Sequence, residues 1–96
     1  MIRLNNSKYI TIHTDAPAAT SEPQFITAYD DIDSVGISIT PGGNDGVLDG
    51  ANPIIVVDIP LGTLYRNVKY LSVYNSDTVA RTITVSLVDD DDVLFF

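Results

Sequence analysis

The chain has 96 residues, a formal net charge of −8 and no cysteine. This length suits one domain, and the lack of cysteine excludes a disulfide framework and a thiolate metal site. The negative charge argues against nucleic acid and anionic lipid as partners, because binding either requires Lys or Arg to replace released counterions. We expect one domain over residues 1–96, with a possible N-terminal arm over residues 1–7.

The N-terminal residues lack the apolar core of a signal peptide, and no apolar run approaches the roughly 20 residues that span a bilayer. We therefore expect a protein that is made in a cytoplasm and has no membrane partner. Helical periodicity is also absent, because apolar residues nowhere recur at i, i+3, i+4 and i+7 over several turns.

Strand patterns, in contrast, recur from end to end. The predicted strands cover residues 8–14, 24–29, 34–40, 54–59, 65–74 and 81–87, followed by an apolar segment at 93–96. Segment 41–53 contains four glycines and two prolines, which predicts a long exposed loop. About seven short strands at this spacing are typical of an all-β fold, and we predict a single antiparallel β-sandwich that is jelly-roll-like.

The 65–74 and 81–87 strands are predicted to form a hairpin. The residues between them include Asn75-Ser76-Asp77-Thr78, whose side chains can bond their own backbone in a turn. Unbroken alternation along the 65–74 strand would place four side chains on one face, namely Val68, Tyr70, Ser72 and Tyr74.

Catalytic candidates are few. His13 is the only histidine, and a base or metal ligand needs partners that the sequence does not place beside it. No serine lies in a Gly-x-Ser-x-Gly elbow, which would expose it as a nucleophile. We predict that the chain is not an enzyme and that it uses no cofactor and no metal.

Two acidic segments invite a second interpretation. Asn44-Asp45-Gly46 and Asp49-Gly50 place oxygen ligands near glycines, as a Ca²⁺ loop does, but the spacing differs from that of an EF-hand. Residues 89–92 are consecutive aspartates, whose mutual repulsion favours a solvated turn. A divalent ion or a basic partner surface is the alternative for this run.

The apolar chain ends predict contacts with another subunit. The segment at 93–96 must either close the sheet of its own domain or be covered by a neighbour, and the sequence leaves both open. We predict that the contacts are made by two residues near the N-terminus and three at the C-terminus: Ile2, Leu4, Leu94, Phe95 and Phe96.

The tyrosines allow a different kind of contact. Aromatic rings can stack on sugars, although tyrosine is also a common strand residue and the chain has no tryptophan. The candidates are Tyr9, Tyr29, Tyr65, Tyr70 and Tyr74.

The second half of the sequence resembles small β-sandwich virion structural proteins of tailed bacteriophages. The resemblance covers residues 40–88: the glycine-rich Thr40-Pro41-Gly42-Gly43-Asn44-Asp45-Gly46, an apolar strand ending at Asp58-Ile59-Pro60, and the pattern Val68-Lys69-x-Leu71-x-Val73-Tyr74-Asn75-x-Asp77-Thr78. The family carries no catalytic residues to transfer. Its domains are expected to continue into a further strand pair, and a neighbouring subunit would supply that missing sheet edge.

The resemblance implies a capsid decoration (cement) protein on the surface of the virion. Such a protein binds the major capsid protein on the outside of the head and stabilises the shell, because a ligand of the assembled form favours assembly. It also implies a homotrimer. Two alternatives stay open, a tail or fibre attachment module and a carbohydrate-binding β-sandwich module that uses the tyrosines and segment 41–53.

Overall fold

The fold is a sandwich of two antiparallel sheets. The computed structural model describes residues 2–33, 38–62, 64–89 and 92–95. The described strands are β1 (Ile2–Leu4), β2 (Lys8–Thr14), β3 (Gln24–Ile32), β4 (Ile39–Val47), β5 (Ile54–Val57), β6 (Tyr65–Tyr74), β7 (Ile83–Asp89) and β8 (Asp92–Phe95). One sheet has the strand order β1-β6-β3-β4 and the other has the order β5-β2-β7-β8. The prediction of an antiparallel β-sandwich is confirmed.

The chain crosses between the sheets repeatedly. It stays within one sheet only at the β3–β4 and β7–β8 connections and changes sheet at the others. Strands β2 and β6 have the predicted bounds, because their alternating side chains are flanked by turn-forming residues. Residues 34–37 of the predicted 34–40 strand lie outside the described residues, and β1 falls within the possible N-terminal arm.

The core lies between the sheets and draws on both. Its buried members come from β1, β2, β3, β5 and β6 and from the turn after β4: Leu4, Ile10, Ile12, Phe25, Leu48, Val56, Val57 and Val68. Polar groups also link the sheets: the Thr27 hydroxyl on β3 donates to the Val56 carbonyl on β5 over 3.1 Å. Within the described part of the chain, every buried polar side-chain atom has a hydrogen-bond partner.

The prediction of a loop over 41–53 is wrong for its first half. Residues 41–47 belong to β4, which pairs with β3 along its whole length. Proline is tolerated here because β4 is an edge strand and needs no ladder bond on its outer side. The glycines make room for aromatic rings on β3: a Cβ atom on Gly42 would lie 2.6 Å from Cε1 of Tyr29, and one on Gly46 would lie 3.2 Å from Cε1 of Phe25. The glycines are therefore needed for the packing of these rings against β4, an arrangement known as aromatic rescue of edge glycines.

The predicted hairpin between the 65–74 and 81–87 strands is also wrong. Strand β6 pairs with β1 and β3, whereas β7 pairs with β2 and β8 in the other sheet. The Asn75 side chain does bond its own turn, accepting from the Asp77 amide at 3.1 Å. However, the turn leads the chain across the end of the sandwich, and β2 offers β7 a partner along its full length.

Arg66 forms a further link between the two sheets. The Arg66 guanidinium on β6 donates from Nε and Nη2 to the two carboxylate oxygens of Asp31 on β3, at 2.7 and 3.1 Å. Its Nη1 donates to the Asp58 carbonyl, just after β5, at 2.9 Å, and its Cζ lies 4.0 Å from the centroid of the Tyr29 ring. The Arg66 side chain is only 11% exposed. The hydrogen bond to Asp31 raises the pKa of Arg66.

Substitution Arg66→Met tests this link. The variant keeps an apolar stem but leaves the Asp31 carboxylate without its partner in a largely buried position, so we expect the free energy of unfolding to fall by about 3 kcal/mol. Urea titration followed by far-UV circular dichroism measures the loss. The matched control is Lys69→Met, which breaks the exposed Lys69–Asp30 pair and is expected to cost less than about 1 kcal/mol. Equal losses in the two variants would contradict the special role of Arg66.

Candidate functional site

The outer face of the β1-β6-β3-β4 sheet carries a group of exposed apolar side chains. They include Tyr74 at 66%, Val47 at 58%, Ile26 at 56% and Tyr70 at 54% exposure. They are grouped because the register joins Gln24 of β3 to Val47 on one side and to Tyr74 on the other. We call this surface the tyrosine face and define it by Gln24, Ile26, Asp45, Val47, Tyr70, Ser72 and Tyr74. Contiguous exposed apolar groups of this kind mark interaction sites.

A β-bulge in β6 decides which tyrosines share this face. Ala28 pairs with Tyr70 and the next residue, Tyr29, pairs with Val68, so Lys69 is an extra residue in β6. The bulge turns Val68 into the core, where it is buried, whereas unbroken alternation would have placed it beside Tyr70. That face prediction is therefore wrong for Val68. Beyond the bulge, Tyr65 pairs with Ile32 and joins the same side of the sheet as Tyr70.

A groove on the tyrosine face lies over β3, between residues of β4 and β6. Its volume is about 300 Å³. It is lined by Gln24, Phe25, Ile26, Asp45, Gly46, Val47, Ser72 and Tyr74. The lining mixes an aromatic ring and aliphatic groups with an amide, a hydroxyl and one carboxylate. A concave, mostly apolar site with a few polar groups is the usual composition of a small-ligand site.

The cations on the outer face of this sheet have local partners. The Lys69 ammonium lies 3.3 Å from Oδ2 of Asp30. The Arg3 Nε donates to Oδ1 of Asn67 at 3.1 Å, and its Cζ lies 5.4 Å from the centroid of the Tyr65 ring. These groups lie toward the β1 side of the sheet, away from the groove, where the charged lining residue is Asp45.

In the described part of the chain, the His13 ring forms its hydrogen bond with the backbone and not with a carboxylate or a nucleophile. Its Nδ1 lies 3.1 Å from the carbonyl oxygen of the adjacent Thr14. Among the described residues, no group of three or more His, Asp or Glu side chains is placed to hold a metal ion.

The glycine-rich segment does not gather its oxygen ligands. Asn44 is directed to the core side, where its Nδ2 lies 3.4 Å from the Val56 carbonyl, whereas Asp45 lines the groove on the outer side. Asp49 lies in the following turn and accepts from Nδ2 of Asn52 at 3.4 Å. Of the 89–92 run, Asp89 ends β7 and pairs with Asp92 at the start of β8, while residues 90–91 lie outside the described residues.

The described residues among the predicted contacts lie on the last strands of the two sheets. Strand β5 contacts both β3 and β4, and the strand orders run from there to β1 in one sheet and to β8 in the other, at the ends away from β4 and β5. We call this the β1/β8 side. Ile2 is partly buried against the core and Leu4 is fully buried in it. Leu94 and Phe95 lie in β8, which pairs with β7 of its own sheet, and Phe96 lies outside the described residues.

A buried carboxylate that the sequence did not single out holds one end of the sandwich. Asp77 accepts hydrogen bonds from the amides of Ala19, Thr20 and Thr78 at 3.0, 3.0 and 2.8 Å and from Nε of Arg81 at 2.8 Å. Its side chain has no exposed surface. The Asp77 site joins the β2–β3 loop to the β6–β7 connection. The Asn-x-Asp-Thr motif predicts a local turn, but nothing in the sequence indicates that Asp77 also accepts hydrogen bonds from the distant amides of Ala19 and Thr20.

The Asp77 site is reinforced by a second carboxylate. Glu22, the only glutamate, accepts from the amides of Ala18 and Gly50 at 3.2 and 3.0 Å. The Ser76 hydroxyl donates to the Glu22 carbonyl at 2.9 Å. These contacts use backbone amides and neighbouring side chains as partners, so they serve the scaffold rather than a ligand.

Comparison with protein-family models, with curated proteins and with solved structures finds no match for this chain. Within the described residues, no helix has both the length and the apolar character needed to span a membrane.

The Asp77 site predicts a defined pH dependence of stability. Loss of solvent contact raises the pKa of the Asp77 carboxyl, but the hydrogen bonds from Ala19, Arg81 and their neighbours lower it by more. The net result is a pKa well below the usual 3.8. A carboxyl whose pKa is lower in the folded state stabilises the fold above its unfolded pKa, and this contribution is lost as the pH falls through the folded pKa. The Asp77→Asn variant lacks the contribution at every pH.

We therefore expect Asp77→Asn to unfold at lower urea concentration than the wild type near neutral pH. The gap between the two midpoints should hold down to about pH 5 and close below about pH 4, where the unfolded wild type takes up a proton. Asp45→Asn, at an exposed position on β4, is the control and should leave the neutral-pH midpoint nearly unchanged. A gap that widens on acidification would contradict the assigned shift.

Proposed function

We propose that this chain is a structural protein of a tailed-phage virion, a decoration protein that binds the outer surface of the head and stabilises the shell. Its partner would be the major capsid protein, and it would act as a homotrimer without catalysing a reaction. The proposal rests on the sequence resemblance over residues 40–88 for its biological setting and on the β1/β8 side for its mode of binding.

The arrangement of the strands at the chain ends is the observation that carries the mode of binding. Both β1 and β8 are edge strands, so each has one row of backbone N–H and C=O groups without a strand partner in its own sheet. Two such edges on one side of a sandwich can accept a strand from a neighbour. The edge strand β4 is less suited to strand addition, because it contains Pro41 and three glycines.

Docking on this side would act through mass action. A protein that binds assembled shells and not free subunits shifts the equilibrium toward the shell by an amount that grows with its concentration over its dissociation constant. Leu94 and Phe95 remain the predicted contact residues, together with Ile2. Leu4 would contribute its backbone, because its side chain is fully buried within this chain.

Sedimentation with virions tests the proposal. Wild-type protein added to particles stripped of it should rebind at a fixed ratio, and light scattering should give the mass of a trimer. The single substitutions Leu94→Lys and Phe95→Lys each place a charge on β8. Because adjacent strand residues point to opposite faces, we expect at least one of the two variants to fold normally and to bind particles at least tenfold more weakly.

The matched control for these variants is Leu61→Lys, which introduces the same charge at a position that is 77% exposed in the turn after β5. It should rebind like the wild type. A wild-type protein that is folded and monomeric and never sediments with heads would overturn the decoration proposal, and sedimentation with isolated tails would select the attachment-module alternative.

A further inference from the structure

We propose that the tyrosine face binds a neutral oligosaccharide, in addition to the particle contacts assigned to the β1/β8 side. The site would use the rings of Tyr70 and Tyr74 as stacking surfaces and the groove over β3 for hydrogen bonds to sugar hydroxyls. A decoration protein with such a face would attach the particle to glycans on a cell or in its surroundings.

The spacing of the rings is the first argument. Tyr70 and Tyr74 lie four residues apart on one face of β6, which corresponds to about 13 Å at about 3.3 Å per residue. A short oligosaccharide can span this length. The neighbours of Tyr70 across the ladder are Ala28 and then Gly43, so no large side chain of these partners rises beside its ring. Exposed rings with low neighbours suit the flat C–H faces of sugars.

The polar groups are the second argument. Gln24 lies between Tyr74 and Val47 across the sheet, and Ser72 and Asp45 flank Ile26 in the next row. An amide, a hydroxyl and a carboxylate thus alternate with apolar groups along the groove of about 300 Å³. Sugars combine apolar ring faces with a rim of hydroxyls, and both donors and acceptors are needed to satisfy that rim.

The charge of the face is the third argument and separates neutral from anionic ligands. The chain has a net charge of −8, and the groove itself is lined by Asp45. The cations on the outer face of this sheet, Arg3 and Lys69, contact Asn67 and Asp30 instead of the groove. An anionic glycan would meet repulsion without a compensating cation, so the neutral class is favoured.

Tyrosine also suits this role energetically. Its ring offers a large contact area and loses little side-chain entropy on binding, which is why tyrosine is common in binding surfaces. Tyr70 and Tyr74 are more than half exposed and lie on the face of the sheet that points away from the core. Their rings are therefore available to a ligand without any rearrangement of the fold.

Titration with defined sugars tests the inference. The chain has five tyrosines and no tryptophan, so its ultraviolet fluorescence reports on tyrosine alone. We expect neutral hexasaccharides of glucose or of galactose to change this fluorescence saturably and to release heat in calorimetry. Tyr74→Ala and Tyr70→Ala should each weaken binding by about tenfold, whereas Tyr74→Phe keeps the ring and should bind within about threefold of the wild type.

Two controls make the result specific. Leu61→Ala removes an exposed apolar side chain between β5 and β6 that is not among the residues of the tyrosine face, and it should not change sugar affinity. A sialylated oligosaccharide should bind at least tenfold more weakly than its neutral counterpart. Absence of binding to any neutral hexasaccharide at millimolar concentration, or affinity unchanged in Tyr74→Ala, would overturn the inference.

Particle sedimentation of the same variants separates this inference from the proposed function. Tyr74→Ala should still bind heads like the wild type, because the β1/β8 side is intact. If Tyr74→Ala instead loses particle binding and no sugar binds, the tyrosine face is a protein-docking surface and the glycan site is wrong. If sugars bind but heads do not, the decoration proposal fails and the glycan site stands.

Discussion

The Arg66–Asp31 pair is the interaction on which the rest of the structure depends. A bidentate ion pair fixes the relative position of β3 and β6, and the third donor of the same guanidinium reaches the Asp58 carbonyl at the end of β5. The pair therefore sets the alignment of neighbouring strands and the contact between sheets at once. A small domain without disulfides has few other means to fix a register, because its core is thin.

The bulge at Lys69 lies close to this pair in β6 and determines which side chains of the strand reach the outer face. With Arg66 and Val68 both directed inward, the strand needs one extra residue before Tyr70 pairs with Ala28. This residue brings Tyr65 to the side of the sheet that carries Tyr70 and Tyr74. The core and the outer face are thus coupled, since the same local irregularity seats Val68 among buried residues and collects aromatic rings on the opposite surface.

Alternation in the sequence was sufficient to predict the sandwich and the bounds of β2 and β6. It failed where a distant partner decides the structure. The local sequence predicts a loop at Gly42 and Gly46, because no local signal shows that the rings of Tyr29 and Phe25 require glycine opposite them. The hairpin after β6 was wrong because Asp77 bonds amides of the β2–β3 loop. The tyrosines were recognised as candidates, but their common face depends on a bulge that alternation does not reveal.

The contrast between the two sides of the sandwich limits how copies of the chain can associate. Strand β4 has a proline and three glycines at its edge and an acidic residue among them, features that discourage further strands from adding to a sheet. The edge of β1, at the other end of the same sheet, stays open, as does the edge of β8 in the second sheet. If β1 of one copy meets β8 of the next, the contacts can close into a ring, while the blocked edge ends the sheet at its rim. A ring of this kind would have a finite size and would not grow into fibres.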